Sequence, residues 1–319
     1  MNSYLKNRHE FIFAYDIRMA NPNGDPDENR PRVLPDGTYY VTDVRLKRFI
    51  RDFFKMQGRD ILVDDIEGKT TNLTGRVGAY LNKIGKPKAN GQELVDIILD
   101  SFIDARLFGS TLAFKESAEQ KFSPEPKTLT GAVQIKHGEA LHPCHEVWIR
   151  GTTTFASQED KTQGTFTEMY GLRYGLFAFN GIANQYNAGK SHLTEEDYRE
   201  MLRAMWLGVR SAANTRSKAG QSPRFLLEIE YKTGSEFQFG CLLDYVKVYA
   251  NDSEKKDPTT WSSPDDYTID LSRLFQRLNQ AANHIDKVSY CISPDIRLKE
   301  EDMNALREYT NLNYDKLVM

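Results

Sequence analysis

Period-two apolar alternation in several segments and near-3.6 periodicity in others predict an α+β fold with one sheet and inserted lobes. Strands and helices come in irregular order, with helices after the first and third strands. A polar tract spaced by glycines and a long β-prone hairpin interrupt the regular elements and read as the lobes.

The first strand is "FIFAYDIR". Phe11, Phe13, Tyr15 and Ile17 share one face, and Ile12 and Ala14 share the other. It runs into "NPNGDP", residues 21–26, and a loop that lasts to Tyr40, with Pro22, Pro26, Pro31 and Pro35 spread through it. Loops this long in compact domains are usually functional or disordered. For this one, phosphate binding, metal binding and plain turn chemistry are all open. Arg30 and Arg32 stand beside the acidic "DPDEN". "TDVRLKRFIRDFFK" is a helix that Thr42 or Asp43 can cap. Leu46, Phe49, Ile50 and Phe53 form its apolar stripe, and Arg45, Lys47, Arg48 and Arg51 occupy the rest of its circumference.

From Asp60 to Gly91 the composition is polar, with glycines at 68, 75, 78, 85 and 91, which predicts a helical or irregular insertion. "ELVDIILDSFIDARLFG" follows as a helix leading into a turn or short strand. "TLTGAVQIKHG" reads as a second strand and "RYGLFAFNGIAN" as a third. Between those two, "EVWIRGTTTFASQEDKTQGTFTEMYG" has β-prone flanks and a polar centre, the pattern of a projecting hairpin. "LTEEDYREMLRAMWLGVRSAANT" is a second strong helix capped by Thr194, with Tyr198, Met201, Leu202, Met205 and Val209 facing the core. "RFLLEIEY" is a fourth strand. Then come a strand-like "CLLDYVKVYA", an acidic loop with Trp261 and Pro264, and helices.

The chain has 319 residues, 39% hydrophobic and 27% charged, with a formal net charge of −3. That length allows one elaborated domain or two. Three scattered cysteines suggest a reducing, cytoplasmic setting, and no apolar run approaches the roughly 20 residues that span a bilayer. The net charge does not advertise nucleic acid, but basic residues are segregated. Between Arg199 and Arg224 lie Arg199, Arg203, Arg210, Arg216, Lys218 and Arg224, against the single acid Glu200. The tail "NTRSKAGQSPR" is a glycine-containing loop of the kind that offers cations and backbone N–H groups to phosphate. His137, His142, Cys144, His145 and Glu146 are metal-capable types without the spacing of a zinc module, so no metal and no cofactor is expected. No nucleophile or phosphate-loop motif is present, so no catalytic residue is assigned. Asp25 or Asp27 could hold a divalent ion for phosphodiester chemistry, though one acidic loop is a weak signal.

"NPNGDPDENRPR", "VTDVRLKRFIRDF", "DARLFG", "TGAVQI", "YGLFAFNG" and "NTRSKAGQSPRFLLEIEY" together resemble the backbone subunit of type I CRISPR surveillance complexes (Cascade). Subtype I-B is the nearest pattern, and I-C shares the "NPNGDP" and "TDVxLKR" signatures. The resemblance implies a right-hand shape: an RRM-like (ferredoxin-like) palm, helical fingers inserted at about residues 55–95, and a β-hairpin thumb at about 147–171. Residues 237–319 would extend the palm, making the whole chain one elaborated domain. It further implies a non-catalytic subunit that polymerises along CRISPR RNA with copies of itself and other Cascade subunits, presenting the guide to target DNA.

In this reading Asn21, Asn23, Arg30, Arg32, Arg45, Lys47, Arg48, Arg51, Arg216, Lys218 and Arg224 hold the RNA. Phe166 and Met169 supply the thumb's wedge, and Asp25 organises the loop. The rival is a metal-dependent endoribonuclease of the type III kind, cutting with Asp25 or Asp27.

Overall fold

The structure, a computed structural model, describes residues 3–115, 122, 127–152, 166–212, 215 and 217–314. Its first strand, β1 (His9–Ala20), is buried on both faces. Phe11, Phe13, Tyr15 and Ile17 enter one apolar cluster, and Ile12 and Ala14 enter another on the opposite side. After a loop come β2 (Tyr40–Val41) and helix α1 (Asp43–Met56), then α2 (Leu73–Lys83), α3 (Gly91–Ser101) and α4 (Ile103–Phe108). Short strands follow: β3 (Gly109–Leu112), β4 (Lys127–Thr130), β5 (Val133–Ile135) and β6 (Gly138–Ala140). Next are β7 (Glu146–Thr152) and the long β8 (Phe166–Ala183), then α5 (Gln185–Ser191), α6 (Glu195–Ser211) and β9 (Gln221–Tyr231). The last part holds β10 (Lys247–Ala250), β11 (Tyr267–Asp270), α7 (Ser272–Gln280), β12 (Ile285–Ile292), β13 (Arg297–Leu298), α8 (Glu300–Leu306) and β14 (Thr310–Asn311).

Among the described residues the main sheet runs β14-β12-β9-β1-β8-β6-β2, with β5 and β7 pairing with other stretches of β8. All its pairs are antiparallel except β12–β14. Helices α1 and α6 cover one face. Thr42 caps α1 by accepting from Arg45 N, and Leu46, Phe49, Ile50, Phe53 and Phe54 are buried beneath it. Burying each such side chain contributes about 1.5–3 kcal/mol. Thr194 and Asp197 close a capping box on α6, whose Tyr198, Met201, Leu202, Met205 and Val209 face the same core. The two helices cross closely: a Cβ at Gly208 would lie 2.6 Å from Phe49 O.

The other face is covered by the C-terminal elements, through Trp261, Tyr267, Leu274 and Phe275. A third cluster, built on Val77, Leu81, Leu94, Ile98 and Phe102, gives α2 and α3 a small core of their own.

Several elements differ from the sequence expectation. "TLTGAVQIKHG" is two strands, because the backbone turns at Gly131 against Gly109; β4 pairs with β3 and β5 with β8. In "CLLDYVKVYA" only Lys247–Ala250 is extended, and Leu242–Tyr245 is a 3₁₀ turn. The C-terminal part also contributes strands, of which β12 joins the main sheet next to β9.

The link between α4 and α6 is a buried ion pair. Arg106 Nε and Nη2 donate to Asp197 Oδ2 and Oδ1, each at 2.8 Å, while Nη1 donates to Leu99 O at 2.7 Å. Removing one partner leaves an uncompensated charge in a site where Asp197 is only 7% exposed. Arg106→Ala should therefore lose about 3–5 kcal/mol, read as a lower urea midpoint.

Candidate nucleic-acid interface

The "NPNGDP" loop is closed by its own polar groups. Asn21 N donates to Ser217 O at 3.0 Å and Asn21 Nδ2 to Asn29 O at 2.7 Å. Asn23 Oδ1 accepts from Thr42 N at 2.9 Å and Thr42 Oγ1 at 2.7 Å, so the loop holds the cap of α1. Asp25 Oδ1 accepts from Asp27 N and Glu28 N, a turn that organises the loop. These backbone donors hold the Asp25 carboxyl below its ordinary range, the Glu28 N–H most strongly. Arg30 reaches Glu146 at the start of β7, through Nε at 3.0 Å and Nη2 at 2.7 Å, so the loop is also tied to the hairpin root.

Two cations meet behind this loop. Lys218 Nζ donates to Asn21 O at 2.6 Å and to Pro22 O at 3.3 Å. Burial lowers its pKa from 10.5 to about 7, helped by the charge of Arg45. Arg45 lies with its guanidinium 4.4 Å from the centre of the Phe49 ring, and burial lowers its pKa too. Its Nε, like Arg32 Nε and Asn21 Oδ1, is buried with no hydrogen-bond partner among the described residues. Like charges held together and partly dried are costly until an anion joins them.

The remaining sequence-predicted cations sit elsewhere on the same surface or inside it. Lys47 pairs with Asp43 at 2.7 Å and Arg48 with Asp52 at 2.8 Å, both one helical turn apart. Arg51 Nε holds Asp104, a carboxylate 1% exposed, at 2.9 Å. Arg224 holds buried Asp16 at 2.8 Å and Asp295 at 2.6 Å. Arg51 and Arg224 are thus engaged in structural pairs. Arg216 lies outside the described residues.

The paired strands β7 and β8 form the root of the hairpin; its tip and the Phe166 side chain lie outside the described residues. Met169 is half-buried opposite Ile149. The neighbouring cross-strand pair was missed in the sequence. Trp148 stacks on Tyr170 with ring centres 6.1 Å apart, the Arg150 guanidinium lies 3.6 Å over Trp148, and Arg30 lies 5.0 Å over Tyr170. Trp148 is 48% exposed. Strand register brings Trp148, Arg150 and Tyr170 together, and the loop after β1 brings Arg30; the signal available was Trp and Tyr among alternating residues on the two flanks.

The histidine-containing run does not assemble. His137 faces Asp43, while buried His142 accepts from Leu176 N and has its pKa lowered to about 4 by burial.

The class defined by this geometry is an α+β protein with one large sheet and two small ones, β10-β11-β13 and β3-β4, where the sequence predicted one sheet. Two helices cover one face of the large sheet, a partly buried pair of cations lies at the end of its first strand, and β7 and β8 form the root of a hairpin. The family model for CRISPR-associated protein Cas7 matches residues 7–272, and the chain belongs to that family. A relative described as CRISPR-associated protein Cas7, from Haloferax volcanii, is 31% identical over 297 residues, covering 88% of this chain and 85% of its own. A chain of a solved CRISPR RNA-guided surveillance complex shares the fold with a TM-score of 0.50 and 17% identity, covering 97% of this chain and 98% of its own. A second, from such a complex in a pre-nicking state, has a TM-score of 0.50 and 14% identity over 93% and 99%. The matched family description names no enzymatic activity.

The lowered pKa of Lys218 has a measurable consequence in the RNA-free protein. Below about pH 7 the ammonium is charged in both folded and unfolded chains, and its burial cost is carried in full. Above that, the folded chain sheds the proton while the unfolded chain keeps it towards 10.5, so stability rises with pH through this window. Urea midpoints of wild type relative to Lys218→Met should therefore improve steadily between pH 6 and pH 9.

Proposed function

We propose that this chain is a non-catalytic CRISPR RNA-binding backbone subunit of a type I surveillance complex, of the I-B kind. Copies of it line up along the guide with other Cascade subunits in the cytoplasm and present the RNA for pairing with target DNA. Pairing carries the sequence recognition, and the protein reads backbone and shape. The observation that carries this reading is the Lys218–Arg45 pocket at the end of β1, two like charges that a phosphate would reconcile. Strand order β9-β1-β8, with α1 after β1 and α6 after β8, suits an RRM-like palm. The separate α2–α3 core suits the fingers, and the β7–β8 hairpin suits the thumb.

Half-buried Lys47 and exposed Arg48, each paired with an acid one turn away, would add phosphate contacts, as would Arg30 and Arg32 in the loop and Arg216. Asn21 and Asn23 serve chiefly by shaping the loop, as Asp25 does. On the hairpin, Phe166 or Met169 would wedge the strand, and exposed Trp148 offers a face on which any base can stack. Asp25 Oδ1 is taken up by the turn, which argues against Asp25 as the cutting carboxylate of the endoribonuclease alternative.

Each phosphate contact removed should lessen the slope of log affinity against log salt by about 0.7, the single-strand value. Arg45→Glu and Lys218→Glu are therefore expected to lose RNA retention and flatten that slope. Unchanged retention in both would overturn the assignment of this pocket. Because a phosphate would keep Lys218 charged, affinity should also fall as pH rises from 6.5 to 8.5, and Lys218→Met should bind more weakly and flatten that dependence.

A further inference from the structure

The opposite end of β1 from the Lys218–Arg45 pair closes a second polar site. His9 stands across from Glu230 in the β1–β9 register, and Glu228 lies two residues away on the same face of β9. His9 Nδ1 is 2.5 Å from Glu228 Oε1, and the ligand atoms of His9, Glu228 and Glu230 all lie within 4.8 Å of one another. Among the described residues they are the one group of three His, Cys, Asp or Glu side chains so placed. His9 is 2% exposed and Glu228 5%.

Two further polar atoms of this site are left over. His9 Nε2 is buried without a partner, and so is the hydroxyl of Tyr198, which α6 places over the sheet with its ring 4.5 Å from that of His9. Burial foremost, and then the nearby carboxylates of Glu228, Glu230 and Glu195, hold the Tyr198 hydroxyl firmly protonated. A cavity of about 100 Å³ separates these groups, with room for an ion and a water or two. Glu195 and Tyr314 also line it; Arg199 and Lys287 are the cations that do so.

A proton on His9 would balance Glu228 and leave Glu230 with the Asn7 amide, which donates to its Oε1 at 2.7 Å. A divalent cation would balance both carboxylates and take an imidazole nitrogen as its third ligand. We propose that His9, Glu228 and Glu230 form a structural site for a divalent transition metal of the Zn²⁺ or Mn²⁺ class, fastening β1 to β9 beneath α6. One imidazole and two carboxylates suit those ions, at bond lengths of about 2.1 Å that set ligand atoms roughly 3.4 Å apart. The widest ligand pair needs to close by about an ångström and the His9–Glu228 contact to open by about as much to reach that spacing.

The test uses the full chain, with any affinity tag removed, stripped with chelator and then offered ZnCl₂ or MnCl₂ before desalting. Elemental analysis should find about one ion per chain, and the thermal midpoint should rise on loading. His9→Gln and Glu230→Gln should each lower retained metal at least tenfold and abolish the midpoint shift. Should His9→Gln fail to fold, Glu230→Gln decides alone, since Glu230 is only half-buried. Wild type that retains no ion and shows no shift would overturn the proposal and leave a buried histidine–glutamate pair, as would Glu230→Gln that binds like wild type. RNA retention measured on the same samples keeps this result separate from the RNA reading.

Discussion

The structure depends on the double pairing of β1. Flanked by β8 on one edge and β9 on the other, and buried on both faces, this strand can shift register neither sideways nor by inversion. A slip of one residue would turn Phe11, Phe13 and Tyr15 from the α1–α6 core towards the C-terminal elements. Its two ends are therefore fixed points. At one end Asn21 joins the loop before β9, and Lys218 reaches back to the Asn21 and Pro22 carbonyls. At the other, His9 meets the carboxylates of β9.

This is how a chain of net charge −3 would carry the proposed site for a polyanion. Most cations of α1 are balanced within a helical turn or by buried Asp104, so they add little to the long-range field. Arg45, which makes no ion pair among the described residues, meets Lys218 where α1 and the loop before β9 converge, and partial drying makes each charge count for more there. A site made of fixed cations and backbone would suit the proposed role, in which any guide sequence must be accepted.

The parts legible in the sequence were those whose pattern is local. The two faces of β1, the α1 stripe with its Thr42 cap, and the α6 core face with its Thr194 cap follow from spacing alone. The "NPNGDP" loop announced itself by composition, but its partners, Thr42 and Lys218, lie at sequence distances no local pattern reveals. Strand β12 escaped notice because Asp286, Lys287 and Ser289 interrupt its apolar residues; its polar face is buried only once it sits beside β9. The length of β8 was hidden by Gly171, where the sequence reading ended the hairpin and where an added Cβ would meet Ala20 O at 2.9 Å. The ion pairs of Arg51 and Arg224, and the Trp148–Tyr170 stack, likewise depend on contacts that only the folded chain creates.

The most direct trial is to express the chain with a CRISPR array, purify it through high salt and sequence the RNA that stays bound. Protected array RNA with a regular footprint is the predicted result, because each copy would cover the same length of guide. Recovery of RNA unrelated to the array, or of RNA-free protein even when the complete set of partner subunits is present, would contradict a guide-binding backbone.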